Sequence, residues 1–77
     1  MPPVENVGYI LIRKKRIAGV EIVLGKNPSA VRPYVTWIAT EAKSFTKFFA
    51  GHYFSTERAA VADFNRRVKL ERLISGC

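Results

Sequence analysis

Apolar and polar positions divide the chain into a long β-type region and a shorter helical one. From Gly8 the run Tyr9-Ile10-Leu11-Ile12 continues through Arg13-Lys14-Lys15-Arg16-Ile17 and stops at Ala18-Gly19, and Val20-Glu21-Ile22-Val23-Leu24 follows directly. Val20, Ile22 and Leu24 alternate on one side, the period of a half-buried strand. Two β-type runs around a glycine-containing break predict a hairpin. Gly25-Lys26-Asn27-Pro28-Ser29 has the composition of a turn. Pro33 then introduces Tyr34-Val35-Thr36-Trp37-Ile38-Ala39-Thr40, a stretch of high strand propensity. After a break over 41–44, Phe45-Thr46-Lys47-Phe48-Phe49-Ala50 and His52-Tyr53-Phe54 predict a fourth strand. It is bent near Gly51, because glycine inside a strand suggests a bulge or a close backbone approach.

The period then changes. Ser55 or Thr56 caps a helix, and Glu57 sits in its first turn, where the helix dipole favours an acid. Ala60, Phe64 and Val68 recur every four residues with Val61 beside them, so this stripe faces the sheet. Asp63, Arg67 and Glu71 have the same spacing and are expected to form a solvated ion-pair ladder. Gly76 ends the helix. The predicted fold class is α+β: an antiparallel four-stranded sheet with one C-terminal helix packed on one face, β-β-β-β-α. Residues 1–7, with Pro2 and Pro3 and no periodicity, are expected to be a flexible leader, and 8–77 a single α+β domain.

Composition narrows the function classes. Seventy-seven residues make one domain, and a chain of this size buries only about 60% of its unfolded surface. An apolar content of 48% with 25% charged residues is globular and argues against disorder. No apolar run approaches the roughly 20 residues of a membrane span, and the first residues show no signal-peptide pattern. The lone cysteine, Cys77, excludes an internal disulfide and points to a reducing, cytoplasmic setting. Thirteen Lys and Arg against six Asp and Glu give +7, which favours anionic partners.

The cations cluster. Arg13-Lys14-Lys15-Arg16 reads either as an electrostatic finger near a hairpin tip, meeting phosphates or an acidic protein surface, or as an edge strand kept soluble by lysine. Arg58, Arg66, Lys69 and Arg72 fall near one side of the helix, as a second basic surface or as an ordinary solvated back. Whether the two basic sites share a face is not visible in the sequence. Nine aromatics crowd the chain. Trp37, Tyr53 and the Phe45-Lys47-Phe49 set could form a stacking platform beside Lys47, but core packing accounts for most of them.

Catalytic signals are absent. His52 would need a nucleophile and an orienting carboxylate; Ser55 and Asp63 exist, but nothing in the sequence brings them together. One His and one terminal Cys make no closed metal site. Gly25-Lys26-Asn27-Pro28-Ser29 lacks the spacing of a phosphate-cradling loop. No enzyme, metal or cofactor is expected.

Tyr34-Val35-Thr36-Trp37, Gly51-His52-Tyr53-Phe54 and Ala59-Ala60 with Asp63-Phe64 and Arg66 or Arg67 resemble a family of short proteins. These are products of bacterial plasmids, prophages and conjugative elements, a group that includes anti-CRISPR inhibitors of host defence. The resemblance covers about residues 17–67 and departs from the pattern at Phe49-Ala50, where a second large aromatic is usual. It implies a mobile-element inhibitor that binds a bacterial defence effector protein or ribonucleoprotein. A chain at +7 cannot act as an acidic mimic of nucleic acid. The expected partner-binding residues are Arg13, Lys14, Lys15, Arg16, Trp37, Lys47, Tyr53, Arg58, Arg66 and Lys69. The alternative is an accessory or regulatory protein that binds DNA or RNA. A third reading is a module acting through dimerisation by an edge strand or Cys77, so the chain is expected to be a monomer or a dimer.

Overall fold

A computed structural model describes residues 5–6, 8–44 and 47–74. Its elements are β1 (Glu5–Asn6), β2 (Tyr9–Ile17), β3 (Val20–Lys26), β4 (Tyr34–Thr40), a single 3-10 turn (Glu41–Lys43), β5 (Phe48–Phe54) and α1 (Glu57–Ile74). The strands form one antiparallel sheet in chain order. The α+β architecture, four long antiparallel strands with one helix across them, is that expected from the sequence. The addition is β1, which lies inside the expected leader and pairs Glu5 with Ile10 and Asn6 with Tyr9. Helix end Gly76, strand residue Phe45 and the terminal Cys77 lie outside the described residues.

The cap and the apolar stripe expected for the helix both have structural counterparts. Of the two candidate caps, Thr56 is the one used, its Oγ1 accepting the Ala59 N–H at 3.2 Å. Ala60 and Phe64 are buried against Ile22 and Leu24, with Val61, Val68, Val20, Tyr34, Ile38 and Phe54 around them. Each large apolar side chain so covered contributes about 1.5–3 kcal/mol.

The opposite face of the sheet has its own core. Tyr9, Val23, Val35 and Trp37 are buried together, flanked by Leu11, Ala30 and Phe48. Trp37 stacks on Phe48 at 5.5 Å and meets Tyr9 and Tyr53 edge-on at 5.6 and 6.2 Å. The Tyr9 hydroxyl donates to the Arg32 carbonyl at 2.8 Å and pins the β3–β4 loop beside the cluster. β3 is therefore buried on both faces, with Glu21 and Val23 as covered as Ile22 and Leu24. This corrects the half-buried strand read from its alternation: a helix covers one side and aromatic rings the other.

Two bulges shape the sheet. In β5, Ala50 and Gly51 together oppose Trp37, since Thr36 pairs with His52 and Ile38 with Phe49. Ala50 takes a φ of 53°, and Gly51 lies so close to Trp37 that a Cβ there would sit 2.8 Å from the indole Nε1. A bulge or a close approach was expected at Gly51, and the strand has both. In β2, Leu11 pairs with Gly25 and Arg13 with Leu24, so Ile12 is the extra residue. Because side chains alternate along a strand, one extra residue reverses the phase of everything after it. Tyr9 and Leu11 belong to the aromatic face, whereas Arg13 and Lys15, opposite Leu24 and Ile22, belong to the helix face.

Gly51→Ala is expected to cost about 1–3 kcal/mol, because the indole is held from several sides and cannot retreat. Urea unfolding measures it. A variant as stable as the parent would contradict the close packing of Gly51 on Trp37.

Candidate functional site: a basic groove and a buried carboxylate

The reversed phase of β2 brings strand and helix cations together. Arg13, Lys14, Lys15, Lys69 and Arg72 line an open groove of about 560 Å³ with Phe64, Asn65 and Val68. No carboxylate is among these lining residues. The Arg13 guanidinium lies 5.9 Å from the centroid of the Phe64 ring, in the range of a cation–π contact. Such a groove presents several positive charges over a floor partly formed by the edge of the core, which suits an extended anionic ligand.

The expected site residues divide accordingly. Arg13, Lys14, Lys15 and Lys69 line the groove, and Arg72 joins them. Arg16, by contrast, pairs across the hairpin with Glu21 at 3.1 Å, on the aromatic face. Lys47 is exposed in the bend before β5. Arg58 is exposed in the first helical turn, and Arg66 turns to Asp63 at 3.4 Å; neither lines the groove. Of the four helix cations, Lys69 and Arg72 line the groove. Trp37 is only 4% exposed, so it is core and offers a partner almost nothing. Tyr53 is 42% exposed, its ring perpendicular to that of Trp37. Phe48 is half-buried against Trp37, whereas Phe49 of the expected platform is exposed; neither lines the groove.

The second cluster was misread in the sequence. Asp63 and Arg67 are 3% and 8% exposed, and they face the sheet instead of forming a solvated ladder. Asp63 Oδ2 accepts the Thr36 hydroxyl at 2.5 Å, faces His52 Nδ1 at 3.0 Å and meets Arg67 Nε at 3.3 Å. Arg67 also donates through Nη2 to the Ala50 carbonyl in the β5 bulge. One carboxylate thereby ties α1 to β4 and β5. The i, i+4 charge pattern is the same whether a pair is wet or buried, and the decisive partners are remote in sequence.

Burial pushes the Asp63 carboxyl up, but the hydrogen bonds from Thr36 and His52 and the charges of His52 and Arg67 outweigh it. The net effect holds the group below its ordinary value of 3.8. For Arg67, burial lowers the guanidinium and the Asp63 charge and hydrogen bond partly offset it.

His52 and Asp63 are thus placed together after all, as a base and its orienting carboxylate would be. Among the described residues, the Asp63 carboxylate of this pair also meets Thr36 and Arg67, and the set ties α1 to β4 and β5. Among them too, no three His, Cys, Asp or Glu side chains gather into a metal-holding group. No helix among the described residues is long and apolar enough to cross a membrane. No protein-family model matches the chain, and no curated protein or solved structure shows significant similarity to it.

Asp63→Ala would leave Arg67 buried beside an apolar gap, and a cost of about 3–5 kcal/mol is expected, against a much smaller one for His52→Ala, whose ring is half exposed. Acid unfolding gives the second check. Because the folded value lies below 3.8, the Asp63 contribution is full above that pH and is lost as pH falls through the folded value. Stability of the parent should therefore fall more steeply below about pH 4 than that of Asp63→Asn.

Proposed function

We propose that this chain is a non-enzymatic binding protein that captures an acidic macromolecular partner in the groove between β2 and α1. The observation that supports this reading most is the convergence of Arg13, Lys14 and Lys15 with Lys69 and Arg72 around one open cleft. Charges spread evenly over a +7 surface would serve solubility alone; concentrated in a groove, they raise the local concentration of an anion and speed its capture.

The partner class follows from what surrounds the cations. Ligands stacked base by base need exposed rings beside the cations; here the exposed Phe49 and Tyr53 do not line the groove, and Phe64, which does, is only 4% exposed. Carboxylates on a protein surface need only the cations. The resemblance over residues 17–67 gives this binding a biological setting, inhibition of a bacterial defence effector of the kind anti-CRISPR proteins block. Under this reading the protein occupies an acidic site on the effector, or on a ribonucleoprotein, and performs no chemistry of its own. The nucleic-acid reading draws on the same five groove cations and is separated from it by experiment.

Two doubly charge-reversed variants test the groove: Lys15→Glu with Lys69→Glu, and Arg58→Glu with Arg66→Glu. Both change the net charge equally. On a heparin column the first pair is expected to elute at clearly lower salt than the second; equal elution would mean that the charge acts diffusely. Anisotropy titrations of the parent with labelled DNA and RNA across a salt series are expected to show only non-specific affinity, roughly 10⁻⁴–10⁻⁶ M at physiological salt. Nanomolar binding to either nucleic acid would overturn the acidic-protein reading.

A further inference from the structure

Among the described residues, the edge of the sheet that borders the groove is open over most of its length. β2 runs for nine residues, but β1 pairs only with Tyr9 and Ile10. Among the described residues, no strand lies on the side of β2 away from β3 from Leu11 to Ile17. Each second residue of an antiparallel strand turns its N–H and C=O away from its neighbour, so this stretch presents a ladder of backbone donors and acceptors outward. Ile12 is 47% exposed at the bulge, and Arg13 to Arg16 are all exposed.

Like charges make this edge a poor template for a second copy of the same chain. A strand bearing Arg-Lys-Lys-Arg laid beside another would set cation against cation, which is one of the ways natural edges avoid self-pairing. The same cations attract a strand of opposite charge. The opposite edge of the sheet differs: β5 is kinked by its bulge, and the Ala50 carbonyl within that bulge already accepts Arg67.

We infer that β2 is a docking edge on which an extended acidic segment of a partner protein adds as a further strand, with its alternate carboxylates directed into the groove. This inference rests on the acidic-partner reading and gives it a binding mode. Main-chain hydrogen bonds to residues 13–17 supply affinity independent of side chains, and the groove supplies selection. Side chains of the added strand alternate between the two faces of the sheet. Those on the helix side meet Arg13 and Lys15 from below and Lys69 and Arg72 from above, while an apolar residue among them can rest on Phe64 and Val68. The Ile12 bulge, which turns Arg13 and Lys15 to the helix side, is what couples the edge to the groove. The recognition pattern is therefore an acid at every second position over about five residues, in an otherwise strand-forming segment.

The test uses the intact protein and two synthetic ten-residue peptides of alternating glutamate and threonine. One is unmodified; in the other, every second backbone nitrogen is methylated on the side that would pair, which keeps the charge and removes the ladder donors. Binding is read by amide hydrogen exchange and by titration calorimetry. The inference expects new exchange protection at alternate amides between residues 11 and 17, and at least tenfold weaker binding of the methylated peptide. Equal binding of both peptides, with no new protection in β2, would overturn strand addition while leaving acidic capture by the groove intact. Binding of neither peptide, with tight binding of a DNA or RNA probe, would overturn both.

Discussion

The position of the helix depends on one buried carboxylate. Asp63 projects from α1 into the sheet, where it receives the hydroxyl of Thr36 on β4 and faces His52 on β5, while Arg67 stands beside it and reaches on to the β5 bulge. Apolar contacts between Phe64, Ala60, Ile22 and Leu24 supply most of the docking energy but little directionality, because hydrophobic contact tolerates sliding and rotation. Hydrogen bonds to a fixed acceptor do not. The polar clamp sets the rotation of the helix about its axis, and with it the direction in which Lys69 and Arg72 point.

Two irregularities in the sheet complete the arrangement. The bulge at Ala50–Gly51 lets β5 wrap Trp37 and leaves a carbonyl for Arg67. The bulge at Ile12 reverses the facing of β2, so that one strand serves the aromatic core with Tyr9 and Leu11 and the basic groove with Arg13 and Lys15. A small domain that buries little surface gains from such double use. The sheet separates two cores, and the groove lies where the helix-side core meets solvent on the β2 side.

Much of this was legible in the residues. Strand propensity and alternation placed all four long strands, the Gly51 interruption gave the β5 bulge, and the Ala60-Phe64-Val68 stripe gave the packing face of the helix. The second core was harder to see, because Val23 looks like the solvent side of an alternating strand until Trp37 and Tyr9 fold over it. Ile12 carries no local signature of a bulge; it sits in an unbroken apolar run, and only the pairing with Gly25 and Leu24 reveals it. The phase of the basic run was hidden for the same reason. Asp63 and Arg67 read as surface charges because their partners, Thr36, His52 and Ala50, come from strands 11 to 27 residues away.

The most direct test of this account is a double-mutant cycle in urea with Thr36→Val, Arg67→Met and the two combined. Both single changes act on Asp63, so a clamp working as one unit predicts a coupling of at least about 1 kcal/mol between them. Additivity within about 0.5 kcal/mol would mean that the two contacts act separately and that Asp63 is not the point on which the helix is fixed.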